Sequence, residues 1–130
     1  MPPASPPPAR VQIFGLEKDQ ATRAAIRFFK ERRVEIHLVD LRRKPIAAGE
    51  LRRFVDGLGA EALLDREGRA YREAGLAYLR MDGPEIADRL LADPGLLRLP
   101  LVRFGSAVSV GRAEATWKGW ITPAGGSPPR

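Results

Sequence analysis

Asp19, in Lys18-Asp-Gln-Ala-Thr22, is an acidic residue whose position suits a helix N-cap. Asp19 stands immediately before a run whose apolar residues recur at helical spacing, which predicts its carboxylate at a helix N-terminus. Free backbone N–H groups and the positive end of the helix dipole stabilise negative charge there. An aspartate in that position caps the helix, worth roughly 1 kcal/mol over alanine. The 130 residues include no cysteine, so no disulfide, thiolate metal site or thiol nucleophile can form within them. His37 is the only histidine and sits inside a predicted strand. One imidazole without cysteine partners reads as structural or exposed rather than as a metal ligand. Asp40, Asp56, Asp65 and Asp82 are scattered as caps and surface charges, and no carboxylate pair presents itself for acid–base work.

The net charge of +6 raises a nucleic-acid reading. Only Lys18, Lys30, Lys44 and Lys118 among the 22 basic residues are lysine, an arginine bias that sits beside abundant Ala, Gly and Pro. Arg10 and Arg130 are counted with the flanks, leaving about +4 on the rest. The basic groups Arg32-Arg33, Arg42-Arg43-Lys44 and Arg52-Arg53 come at element ends and could line one edge. Glu31, Glu35, Asp40, Glu50 and Asp56 are interleaved with them, and no aromatic residues accompany them as a single-strand platform requires. A solvated surface is the expectation.

The elements that must position these residues follow from pattern. Val11–Phe14 is a short apolar strand ended by Gly15. Gln20–Arg32 is an amphipathic helix with Ala21, Ala24, Ala25, Phe28 and Phe29 on one face. Val34–Leu41 is a second strand, and strand, helix and strand within roughly 30 residues make a parallel, right-handed βαβ unit. A second helix is predicted over Ala48–Leu58, a short helical turn over Glu61–Leu64, a polar loop over Asp65–Ala70, and an irregular stretch with some helix over Tyr71–Leu79. Asp82 caps a helix over Glu85–Ala92 with Pro84 in its first turn, and Asp93-Pro94 ends it. Leu101–Phe104 and Ala107–Val110 flank Gly105-Ser106 as a β-hairpin, and Ala113–Ile121 forms a last helix presenting Trp117 and Trp120 for core and edge packing.

Residues 1–9 and 122–130 are rich in Pro, Gly, Ser and Ala and are expected to be disordered tails around a single domain at residues 10–121. No apolar h-region or run approaching the ~20 residues of a membrane span is present, so a cytoplasmic protein without membrane contact is expected.

The element order, with a proline entering the third strand, resembles the thioredoxin superfamily. Val11-Gln-Ile-Phe-Gly15, Thr22-Arg23 with Arg27-Phe-Phe-Lys-Glu31, Val39-Asp-Leu41 and Gly49-Glu-Leu51 resemble the arsenate-reductase-like family. Glu61-Ala-Leu-Leu64, Gly75-Leu76, Asp93-Pro94 with Leu99-Pro100-Leu-Val102, and Val110-Gly-Arg112 before Trp117 extend the likeness from Val11 to Ile121. The resemblance implies an α/β thioredoxin-like domain: β-α-β, a helical middle and β-β-α on a mixed four-stranded sheet.

In that family the redox cysteine lies at the mouth of the first helix, and the matching residue here is Asp19, with Thr22 nearby and Gly15, Lys18 and Pro100 shaping the pocket. A carboxylate cannot shuttle electrons, so the reductase reaction is expected to be absent. Of three family arginines that hold the oxyanion, Arg112 matches, whereas the others fall on Asp65 and Leu99, with Arg66 and Arg98 one position away. Leu99-Pro100 is the family's candidate cis peptide, placed where related folds grip an extended peptide. Asp19 then has two readings: a helix cap alone, or a fixed charge that mimics an ionised or oxidised cysteine and locks one signalling state.

The family also contains the Spx transcription regulators. The resemblance therefore implies a catalytically degenerate protein-interaction or regulatory domain with an unidentified protein partner, transcription machinery being one candidate. No cofactor or metal is expected. Two alternatives stay open: an arsenate-reductase-like or glutaredoxin-like oxidoreductase that borrows its thiol from glutathione or a partner, and a nucleic-acid-associated protein acting through a basic edge.

Overall fold

The computed structural model describes residues 10–121, so the expectation of disordered tails at 1–9 and 122–130 lies outside the described residues. Strands β1 (Arg10–Gly15), β2 (Glu35–Asp40), β3 (Leu101–Phe104) and β4 (Ala107–Val110) form one sheet in the order β2-β1-β3-β4. The β1–β2 pair is parallel, as the βαβ pattern predicts, and β3 and β4 continue antiparallel. Arg10, counted above with the flanks, opens β1 opposite Glu35; ladder pairing with a neighbouring strand recruits it where local composition did not.

Among the described residues five helices surround the sheet: α1 (Gln20–Glu31), α2 (Ala48–Leu58), α3 (Arg69–Glu73), α4 (Gly83–Ala92) and α5 (Glu114–Trp120), with 3₁₀ turns at Ala60–Leu63, Leu76–Tyr78 and Pro94–Leu96. The polar loop expected over Asp65–Ala70 is shorter than predicted, because α3 begins at Arg69 and is pinned by buried Tyr71. Asp82 caps α4 by accepting from the Glu85 N–H at 2.8 Å.

Alternation along β1 sends successive side chains to opposite faces and so divides the apolar interior in two. On one face Phe14 and Leu101 pack with Leu51, Phe54, Leu63 and Leu90, brought by α2, the helical middle and α4. On the other, Val11, Ile13 and Val102 pack with Phe28 and Phe29 of α1 and Trp117 of α5. Each large apolar side chain so buried contributes roughly 1.5–3 kcal/mol. Trp117 has no solvent exposure, and its Nε1 donates to Ser109 Oγ at 2.9 Å. Trp120 is half-buried and stacks on Phe104, ring centroids 5.9 Å apart and 6° from parallel. The two tryptophans thus divide into core and edge, as predicted.

Where the α2 face of the sheet is uncovered, a polar row crosses three strands. Arg103 Nε donates to Glu50 Oε2 at 2.7 Å, a guanidinium amine of Arg103 donates to Gln12 Oε1, and Gln12 Nε2 meets His37 Nδ1 at 3.1 Å. The direction of this chain is fixed, because arginine can only donate. Gln12 must turn its oxygen toward Arg103 and its N–H toward His37, so Nδ1 accepts and the neutral ring carries its proton on Nε2. Nitrogen-15 NMR of the neutral ring should therefore show His37 more strongly biased to the Nε2–H tautomer than an unconstrained histidine side chain, which already favours it, with the excess lost in Gln12→Ala. A wild-type ring with only the ordinary preference contradicts the directionality.

Candidate functional site

The loop between β1 and α1 is closed by a small set of hydrogen bonds. Chain reversal after Gly15 is marked by the Asp19 N–H donating to the Leu16 carbonyl at 3.0 Å. Asp19 then has extended backbone angles and caps α1. Its Oδ2 accepts from the Thr22 backbone N–H at 2.8 Å and from the Thr22 hydroxyl at 2.7 Å. The Thr22 oxygen in turn accepts from the Leu16 N–H at 3.4 Å, and Thr22 is fully buried. A short polar side chain can be buried at this cost only when its hydrogen-bonding capacity is used, as it is here.

Thr22 therefore does more than the first-turn helix residue its sequence position suggests. It clamps the cap to the loop, and Gly15 makes room for it. A Cβ at residue 15 would fall 2.4 Å from Thr22 Oγ1. Gly15→Ala is accordingly expected to cost about 1–3 kcal/mol as overpacking. Gly49→Ala, at a helical position with nothing within 4 Å of the added carbon, should be neutral or stabilising. Urea unfolding midpoints of the two variants provide the comparison, and equal midpoints would contradict a closed Gly15–Thr22 contact.

Pro100 lies at the same end of the sheet. Phe14 pairs with Leu101, so the residue before β3 sits beside Gly15, where the Asp19 loop departs. The Leu99-Pro100 peptide is cis, Pro100 is buried, and its carbonyl accepts from the Gly111 N–H at 2.8 Å. Lys18 is exposed beside the cap.

The arginines are arranged less convergently than three ligands to one anion. Arg112 donates through Nε and Nη2 to Glu114 Oε2 at 3.3 and 3.1 Å. Arg66 Nη2 stands 3.8 Å from Glu61 Oε1. The Arg98 guanidinium occupies the space where a side chain on Gly111 would be, 2.9 Å from the position of such a Cβ, and Gly111 has φ +72°. Arg66 and Arg98 do share a cavity of about 320 Å³, lined also by Asp65, Glu61 and Glu67; Asp19 and Arg112 are outside its lining. Two cations facing three carboxylates leave that cavity without a marked attraction for an oxyanion.

Other candidates resolve simply. His37 is exposed and engaged by Gln12, and among the described residues no group of three or more His, Cys, Asp or Glu residues could hold a metal ion. No helix among them is long and apolar enough to cross a membrane. Arg32-Arg33 and Arg42-Arg43-Lys44 flank opposite ends of β2, about 20 Å apart at strand rise, while Arg52-Arg53 ride on α2. Sequence reasoning missed the Glu50–Arg103 pair, whose side chains are each 19% exposed and whose positions lie 53 residues apart.

A βαβ unit and an antiparallel hairpin on one four-stranded sheet, with a cis-proline beside the mouth of the first helix, define a thioredoxin-like α/β domain. The chain belongs to the ArsC family, whose sequence profile matches residues 14–120. Solved structures agree in fold. The YffB protein superimposes with a TM-score of 0.77 at 23% identity, covering 86% of this chain and 99% of its own. An ArsC family related protein from Bacteroides fragilis gives 0.76 at 20% identity, over 83% of this chain and 94% of its own. Arsenate reductase from Vibrio cholerae gives 0.73 at 17% identity, also over 83% and 94%. No curated protein matches the sequence.

Proposed function

We propose that this ArsC-family protein is catalytically degenerate and acts by binding, as a protein-interaction or regulatory domain. The observation that carries the reading is Asp19: a carboxylate anchored at the helix mouth by two bonds from Thr22, in a sequence with no cysteine. Relatives that use a thiol at this point carry negative charge only when that thiol is ionised or oxidised. Here the charge is built in, and the helix N-terminus favours it. The surface beside Pro100 therefore presents one state constantly, which suits a docking face and not a turnover cycle. A partner in the transcription machinery is the candidate the family resemblance supplies.

Three measurements test this. A glutathione-coupled assay of arsenate and of disulfide reduction should give no turnover above the reagent blank; clear turnover replaces the proposal with an oxidoreductase that borrows its thiol. Purified RNA polymerase from the native host, flowed over the immobilised protein, should be retained by the wild type and lost with Asp19→Lys. Retention that ignores this change removes Asp19 from the docking face. Binding to DNA or RNA that weakens steeply with salt would support a nucleic-acid partner instead.

A further inference from the structure

We propose that the outer edge of β2 is a second, independent docking site, one that adds an extended segment of a partner protein that is apolar in its middle and acidic at both ends. The backbone supplies the first argument. The Leu41 N–H donates to the Gly15 carbonyl at 3.0 Å, so odd-numbered residues along this segment turn their peptide groups toward β1. Strand geometry then directs the N–H and C=O of Ile36 and Leu38 away from the sheet. Among the described residues β2 has β1 as its one strand neighbour, so this outward row is open. An unpaired row of donors and acceptors is a template for strand addition.

Side chains set the character of the segment that fits. Ile36, Leu38 and Val39 are each only partly buried, and each packs on one of the two cores while leaving apolar surface at the rim. A groove of about 480 Å³ runs beside Leu38 and Val39, lined also by Glu17, His37, Asp40, Arg43 and Lys44. Ile36, Leu38 and Val39 give the middle of the strand apolar surface around His37, and basic residues outnumber the acidic Glu35 and Asp40 at its ends. Arg33 stands before β2, and Arg42, Arg43 and Lys44 follow it, all four exposed. Arg43 is within 3.9 Å of Asp40, while no carboxylate lies within ion-pair distance of Arg33, Arg42 or Lys44 among the described residues. Acidic groups at either end of an added strand meet these cations.

A second copy of the chain is the obvious competitor, and charge opposes it. Antiparallel self-pairing of Glu35–Asp40 brings the Arg32-Arg33 end of one copy toward the Arg42-Arg43-Lys44 turn of the other, just beyond the ladder at both ends. Like charges brought together in this way oppose association. The same basic ends that discourage self-association select an acidic partner.

The test uses the full chain labelled with nitrogen-15 and two synthetic peptides. Both alternate valine and threonine in the middle; one carries Asp-Glu pairs at its ends and the other Lys pairs. The acidic peptide should shift the Ile36 and Leu38 amides and slow their hydrogen exchange by about tenfold or more at saturation. The lysine peptide should leave them unmoved. Arg42→Glu with Lys44→Glu, both exposed changes, should weaken the acidic peptide by about fivefold or more, with folding checked by the unchanged spectrum of the core. An equal response to both peptides, shifts confined to the Asp19–Thr22 turn, or no response at millimolar acidic peptide overturns the proposal.

Discussion

Trp117→Ala is expected to destabilise the domain by about 3–5 kcal/mol, the range for deleting a buried tryptophan or phenylalanine side chain. The indole is without solvent exposure and sits at the centre of the smaller core. Phe28 and Phe29 lean on it with ring centroids 5.4 and 5.5 Å away, joining α1 to α5 on one face of the sheet. Its loss opens a cavity that these rings cannot both fill, and it also strands Ser109, whose hydroxyl accepts the indole N–H at 2.9 Å and is itself buried. At about 4–8 °C per kcal/mol for a domain near this size, the melting temperature should fall by more than about 12 °C. Trp117→Phe keeps most of the apolar volume but removes the donor, so it should lose an intermediate amount, about 1–3 kcal/mol. Differential scanning calorimetry orders the three proteins. A Trp117→Ala midpoint within a few degrees of the wild type would mean that the second core does not depend on the indole.

Asp19→Cys is expected to produce a thiol with a strongly lowered pKa. The sulfur would stand at the N-terminus of α1, facing the Thr22 N–H and hydroxyl that now bond Oδ2. Helix N-termini and such donors lower a thiol from about 8.5 into the range of about 3.5–7.5. A value near 7 would raise the thiolate fraction at neutral pH from roughly 3% to about half. The sign is fixed by the charge type: donors and a positive dipole favour the ionised form, so alkylation should rise with pH and reach its plateau below the range of free cysteine. The pH profile of iodoacetamide reaction reports this directly. A profile matching free cysteine would show that the turn no longer offers its donors to sulfur, and the analogy between Asp19 and a catalytic thiol would fail with it.

How far the sequence spoke for itself varied with the range of the interactions involved. Local signals were reliable. The apolar spacing of Leu51, Phe54 and Leu58 predicts α2 at its observed bounds, and Gly105-Ser106 predicts the β3–β4 hairpin at its own. Helix α3 was only partly legible, because Asp65-Arg-Glu-Gly68 reads as a loop and Tyr71 alone anchors the turn. Long-range pairing was illegible. Nothing local joins Glu50 to Arg103 or recruits Arg10 into β1. At the candidate site, Asp19 announced itself as a cap by residue type and position. Thr22 did not, because its burial depends on the missing side chain of Gly15, and no periodicity in the chain encodes that contact. The arginines show the same limit. Arg112 matches by spacing, yet spacing says nothing about Glu114 two residues on, which takes its guanidinium.

The two hydrogen bonds from Thr22 to Asp19 bear on any anion that approaches the helix mouth. The Thr22 N–H and hydroxyl, which a visiting anion at the helix mouth would need, already bond a carboxylate that the protein carries as a side chain of its own. A tethered group acts at an effective concentration that no dissolved phosphate or arsenate attains. Adding either salt should therefore leave the amide resonances of residues 19–22 where they stand.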